Sequence, residues 1–300
     1  MTEPLTPAPL TPAPGKSGVL AGAPDWARDA LLRLVFLALL ALLWQGLHYA
    51  LVTRAAVWSP QLFPAPLDVA RWLWRGLGLG VVAQHPAGWW PALVRADYPT
   101  AALASIVRLL EGYCISLLIG LPLGLMVARW TLAEKTLGWL AIALQAMPSI
   151  GWAPLALLWC GDNSVAPILF VTVFGSLFAT ILAVSDSIRQ VPPLLARAGR
   201  TLGATGPRLY FEVLLPAALP AIVTGLKVGW SFAWRSLLAA ELLVQFGGLG
   251  QLLQRDKAAG QAEGLLATII IIIAISLGVQ ALVFAPVQRR LQNLWGLGGI

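Results

Sequence analysis

Six long runs of apolar residues constrain this chain more than any other feature: about Ala30 to Val52, Ala101 to Val127, Leu132 to Trp159, Val165 to Ala183, Ala217 to Val244 and Leu265 to Val287. Each reaches the roughly 20 apolar residues that a helix needs to cross a bilayer core. Backbone N–H and C=O groups cannot go unpaired in lipid, so runs of this length must be helices. Even the β-branched stretch Thr268 to Ile273, which would favour a strand in water, is predicted helical by its place inside such a run. Only 11% of the 300 residues are charged, against about 25% in a soluble domain. The expected fold class is therefore all-α, a polytopic membrane protein with about six transmembrane helices.

The third run is interrupted by Met147-Pro148-Ser149-Ile150-Gly151 and by Pro154. Proline removes a backbone donor and disfavours helix in the residue before it, so a break is predicted there. Broken helices at membrane depth persist where they face protein or a wet cavity. Ahead of the first run, Pro-Leu-Thr-Pro-Ala occurs at 4–8 and again at 9–13. Residues 1–28 are expected to form a disordered Pro-rich cytoplasmic tail, without the pattern of a signal peptide. Residues 29–295 form the transmembrane domain.

The net charge of +7 reports topology rather than affinity for nucleic acid. With the amino terminus inside, eleven of the 20 Lys and Arg residues fall on the inner side and six on the outer, while Arg108, Lys227 and Arg235 lie within spans. The positive-inside rule then puts both termini in the cytoplasm, with an outer segment at 53–100 and an inner loop at 185–215. The outer segment carries Trp72 and Trp74 beside Arg71 and Arg75, then Trp89 and Trp90, a pattern predicted to form an interfacial amphipathic helix. In the inner loop, Pro192 and Pro193 suit a helix start, and Leu194, Leu195, Ala198 and Leu202 recur near helical spacing. Gly203 and Gly206 end that helix, Thr205 can cap the next, and Pro207 suits its first turn. Two short helices at an angle, kept in water by Arg197, Arg200 and Arg208, are predicted to form a knob.

Catalytic and metal chemistry find no support. The chain contains no phosphate-cradling Gly-x-x-x-x-Gly-Lys-Ser/Thr run, no Gly-x-Ser-x-Gly elbow and no His-Glu-x-x-His site. Cys114 and Cys160 suit buried apolar positions, and His48 and His85 are isolated. Charges inside spans cost on the order of 2.5–3.5 kcal/mol each at the helix centre. Arg108 and Glu111, three apart on one face, are predicted to pair. Glu241 lies six residues after Arg235, off its face, so each of these needs another partner or a wet path, as does Lys227. An anion path needs cations and open helix termini. The path candidates are therefore Lys227, Arg235 and Glu241, with Gln145, Met147, Pro148, Ser149 and Trp152 at the break.

Arg197-Ala198-Gly199-Arg200-Thr201-Leu202-Gly203-Ala204, followed by Val213-Leu214-Leu215-Pro216-Ala217-Ala218-Leu219-Pro220, resembles the EAA loop of ABC importer permeases, with Arg197 at the usual Glu position and Gly199 at the second Ala. Phe63-Pro64-Ala65-Pro66-Leu67-Asp68-Val69, Ser105-Ile106-Val107-Arg108, Ile119-Gly120-Leu121-Pro122-Leu123-Gly124, Met147 to Ala156 and Ala239-Ala240-Glu241 are similar to the nitrate, sulfonate and taurine branch of that family. The resemblance implies a type I ABC importer permease (MetI-like) fold in the bacterial cytoplasmic membrane. It implies a homodimer, a cytoplasmic ABC ATPase dimer that binds ATP and Mg, and a periplasmic solute-binding protein. It also implies that Arg197, Ala198, Gly199, Leu202, Gly203, Leu215 and Pro216 couple to the ATPase, the small Ala198 and Gly199 leaving room for insertion into a groove. The expected cargo is a small anion of nitrate, bicarbonate, sulfonate or taurine type, moved by a chain that is not itself an enzyme. An ion-coupled secondary transporter is the alternative, and it would use the intramembrane charges for coupling.

Overall fold

A computed structural model describes residues 25–80, 95–162 and 164–294. Most of the Pro-rich tail, together with His85, Trp89 and Trp90, lies outside the described residues. Among the described residues every element is helical. Five helices are long and apolar enough to span a membrane: α1 (Ala27–Arg54), α3 (Asp97–Arg129), α6 (Ala166–Arg189), α8 (Gly206–Glu241) and α10 (Ala262–Leu291). The pair α4 (Thr131–Gln145) and α5 (Ser149–Cys160) is bent by 102° where the prolines interrupt the third apolar run, and counted as one span it makes six. Pro148 adopts ψ of 131° and a 3₁₀ turn over Ser149–Trp152 restarts the helix. The remaining helices are α2 (Pro66–Gly76), α7 (Pro193–Thr201) and α9 (Leu249–Ala258). The β-branched run lies within α10.

The chain divides into two compact units, Met1–Pro66 and Leu67–Ile300. In the first, α1 presents Leu32, Phe36 and Leu42 outward, as a helix apolar on all sides does in lipid. Beyond its end the chain turns back, with Trp44 Nε1 donating to the Pro64 carbonyl at 3.1 Å and His48 Nδ1 2.7 Å from the Phe63 carbonyl. His48 is thus a structural group.

The second unit is built around α6, 67% of whose apolar window is buried. Lipid provides no hydrophobic drive between helices, so close backbone approach at small residues has to hold them together. On α3, Gly112, Ser116, Gly120 and Gly124 form a buried stripe at intervals of four. A Cβ on Gly112 would lie 2.7 Å from Thr172 Cγ2, one on Gly120 3.0 Å from Thr180 Cγ2, and one on Gly124 2.8 Å from the Ile181 carbonyl. On the other flank, a Cβ on Gly225 of α8 would lie 2.7 Å from Ala183 Cβ. The α6 hydroxyls stay satisfied within their own helix, since Thr172, Ser176 and Thr180 donate to carbonyls one turn back at 2.7–2.9 Å.

Candidate functional site

The bend between α4 and α5 opens a cavity of about 430 Å³ against α6 and α8, lined by Gln145, Met147, Pro148, Ser149, Trp152, Phe174, Phe178, Phe232 and Arg235. Close packing fixes it. A Cβ on Gly175 of α6 would overlap Ser236 Oγ of α8 and come within 3.2 Å of Ser149 Cβ, so three elements meet where only glycine fits. The wall is aromatic, with the Trp152 ring 5.2 Å from Phe174 and 6.3 Å from Phe178. The cation is Arg235, whose Nε donates to the Ser231 carbonyl at 3.1 Å and whose guanidinium lies 4.5 Å from the centre of the Phe232 ring. Among the described residues it forms no ion pair, and no carboxylate lines the cavity. A cation held in place beside open helix ends attracts anions.

Six of the eight path candidates therefore meet in one cavity. Lys227 does not reach it, since it precedes Arg235 by eight residues, about 12 Å along α8. Glu241 is also elsewhere. Sequence reasoning missed Phe174, Phe178 and Phe232. The four-residue spacing of Phe170, Phe174 and Phe178 was the available signal, because it sets three rings on one helix face.

Glu241, 1% exposed, is the centre of a separate buried cluster at the end of α8. Ser105 Oγ lies 2.9 and 2.8 Å from its two carboxylate oxygens, Arg108 donates to it at 3.1 Å, and the Gly250 N–H donates at 2.9 Å. Arg108 also donates to the carbonyls of Gly247, at 2.7 Å, and Phe246. Gly248 has φ of +110°, and a Cβ there would overlap the Glu241 carboxylate. This corrects two expectations. Arg108 pairs with Glu241, 133 residues away, and not with Glu111, which is exposed on α3. Glu241 spends its acceptors on the fold rather than facing the Arg235 cavity. The reason is that Glu111 could offer Arg108 one carboxylate, whereas the α8–α9 turn adds two carbonyls and so satisfies the guanidinium.

At the opposite end of the bundle α7 and the start of α8 form the predicted knob. The carboxyl end of α7 closes with the Gly203 N–H donating to the Arg200 carbonyl at 3.0 Å and the Ala204 N–H donating to the Gly199 carbonyl at 2.9 Å. Gly203 takes φ of +86°, the left-handed residue that this paired closure requires. Thr205 occupies the cap position of α8 without a capping side-chain bond. Arg197 and Ala198 are exposed, Leu194 is 74% and Leu202 87% exposed, while Leu215 and Pro216 are half-buried. Gly199 is buried, and a Cβ on it would lie 2.9 Å from Leu209 Cδ1 and 3.1 Å from Val213 Cγ2. The small residue there lets α7 sit on α8 and leaves no room for an outside partner, which corrects the expected groove contact at Gly199. Because α8 runs unbroken from Gly206 to Glu241, one helix carries the knob at one end and Arg235 near the other.

Residues 120–292 match the family described as binding-protein-dependent transport system inner membrane component. The chain belongs to that family.

This inner membrane component is 31% identical over 194 residues to the taurine transport system permease protein TauC of Escherichia coli, an alignment covering 63% of this chain and 68% of that protein. It is 29% identical over 142 residues to the bicarbonate transport system permease protein CmpB of Synechocystis sp., covering 47% and 50% respectively. The chain thus spans between half and about two thirds of the length of these curated relatives. Among solved structures, a chain of the MetNI methionine ABC transporter in an inward-facing conformation superposes with a TM-score of 0.57 at 18% identity, over 65% of this chain and 96% of that one. At that identity the likeness is one of fold, and it supports the MetI-like helical arrangement expected from the sequence.

Proposed function

We propose that this inner membrane component is the transmembrane permease subunit of an ATP-driven importer, and that the Arg235 cavity is the station where a small anionic solute passes the membrane midplane. One observation carries the reading: an arginine with no carboxylate partner among the described residues lines a cavity at the bend between α4 and α5, on the same helix that ends in the knob. Placing Arg235 in a span without a counter-ion is costly, and an anionic cargo supplies the missing charge. Relatives named for taurine and bicarbonate transport support a sulfonate or small oxyanion as cargo.

In this reading both termini are cytoplasmic, and the knob, through Arg197, Ala198, Leu202 and Gly203, docks on an ABC ATPase dimer that binds ATP and Mg. A periplasmic binding protein delivers solute, and a second copy of the chain completes the passage. Movement of the ATPases reaches the cavity through α8, a rigid element shared by both sites, as two-state coupling requires. Leu215 and Pro216 lie on that route.

The test is uptake of taurine, bicarbonate and nitrate in proteoliposomes, with the ATPase and binding protein supplied or withheld. Uptake that requires both partners and ATP, and that falls at least tenfold in Arg235→Gln while ATPase assembly is retained, is the expected result; tenfold corresponds to about 1.4 kcal/mol. Uptake that follows an ion gradient without ATP would replace this reading with a secondary transporter.

A further inference from the structure

A second cavity, of about 420 Å³, lies beneath the knob where α3 and α6 end, and its chemistry differs from that of the Arg235 cavity. Three arginines from three helices line it: Arg129, the last residue of α3; Arg189, the last of α6; and Arg200 of α7. Among the described residues no carboxylate lines it. Arg189 is held by Glu134 and by the Val127 carbonyl at 2.8 Å, but Arg129 and Arg200 form no ion pair among the described residues. Arg129 and Arg200 are exposed, and with Glu134 engaged by Arg189 an anion brought from outside would supply the counter-charge that these two arginines do not find among the described residues.

Guanidinium groups match phosphate oxygens in pairs, as a compact ammonium does not. Apart from Thr205 and Tyr210, the rest of the lining is apolar or glycine, including Ile188, Leu209 and Leu214. Depth selects among sources of phosphate. The cavity sits at the last residues of two spans, and Trp130, next to Arg129, is 55% exposed, as tryptophan is at a membrane interface. Guanidinium groups beside apolar side chains at that level match the junction of a lipid headgroup and its acyl chains.

We infer that the cavity between Arg129, Arg189 and Arg200 binds the phosphate group of an anionic membrane phospholipid and thereby ties the knob to the ends of α3 and α6. The bound phosphate bridges Arg200 of the knob to Arg129 of the span. The lipid then stabilises the position in which the knob meets its partner, so anionic lipid content sets how firmly the knob is held. The site is independent of the transported solute, so it stands or falls separately from the Arg235 reading.

The experiment uses the full chain in phosphatidylcholine nanodiscs into which phosphatidylglycerol is titrated, read by tryptophan-fluorescence unfolding temperature and by lipid retention in native mass spectrometry. The wild type is expected to gain unfolding temperature as phosphatidylglycerol rises and to retain one such lipid per chain. Arg129→Gln/Arg200→Gln is expected to need on the order of 30-fold more phosphatidylglycerol for the same gain, and Arg129→Lys/Arg200→Lys far less than that. Arg289→Gln/Arg290→Gln removes the same charge from exposed positions of the final helix and is expected to respond like the wild type. If the double Gln variant does not fold, Arg200→Gln alone, at an exposed knob position, carries the comparison. The inference is overturned if the Arg129/Arg200 variants keep the wild-type response, or if the Arg289/Arg290 variant loses as much. It is also overturned if inorganic phosphate in pure phosphatidylcholine gives the wild type the full gain, since the ligand is then a soluble anion.

Discussion

Replacing Glu241 by Gln tests the buried cluster at the end of α8 and discriminates between two pairings of Arg108. The Glu241 side chain is fully buried and that of Arg108 is 12% exposed, so water screens the pair little. Gln keeps the shape but removes the counter-charge, and it turns an NH₂ group toward donors that need an acceptor. Removing one partner of a buried pair costs about 3–5 kcal/mol. At roughly 2–4 °C per kcal/mol for chains approaching this size, the unfolding temperature should fall by about 6–20 °C. Membrane proteins often unfold irreversibly, so the assay is tryptophan fluorescence of the detergent-purified chain at one fixed scan rate. Arg108→Met/Glu241→Leu should recover part of the loss, because no charge is left buried. Recovery stays incomplete because the Gly250 N–H and the carbonyls of Phe246 and Gly247 lose their partners. Glu111→Gln, at an exposed position, should move stability by no more than about 0.5 kcal/mol. The reasoning fails if Glu111→Gln produces the large drop and Glu241→Gln the small one, because Arg108 would then be paired within its own helix.

Three further outcomes follow from the geometry. Gly203→Asp places a side chain at φ of +86°, at a cost of roughly 1–2 kcal/mol. It should abolish stable ATPase association in pull-down and with it ATP-driven uptake, whereas full transport and assembly would show that the knob is not the docking element. Gly120→Val should lower the unfolding temperature through about 1–3 kcal/mol of overpacking, since Thr180 already stands 3.0 Å from a Cβ there, while Gly278→Ala, with open space around it inside a helix, should not lower it and should raise it slightly. Asp256 of α9 has its carboxyl pushed above the ordinary carboxylate range by burial, against the opposing pull of Arg255, whose Nε lies 3.2 Å away. A raised acid binds its proton more tightly in the folded chain, so its contribution to stability is present at low pH and lost as pH rises through the folded value. Asp256→Asn should flatten that decline in unfolding temperature measured from acid to neutral pH.

The separate spans and the break were legible because the signals are local. Apolar length and the missing donor of Pro148 act whatever the rest of the chain does, and the closure of α7 at Gly203 needs only residues a few positions apart. Hydrophobicity could not say which face of a helix meets which neighbour. Arg108 looked equally well matched to Glu111, and only the packing of α3 against α8 brought Glu241 and the Phe246 and Gly247 carbonyls to its guanidinium. Gly199 read as an open surface position, and only the return of Leu209 and Val213 over α7 closed it. The aromatic wall around Arg235 likewise needed α6, α8 and the bent span to converge. The sequence by itself therefore determined a helical membrane protein with a broken span and a basic knob, because chain-local energetics decide those features. Tertiary structure alone decided that Arg108 is neutralised by Glu241 while Arg235 forms no ion pair among the described residues, because the first contact joins residues 133 positions apart.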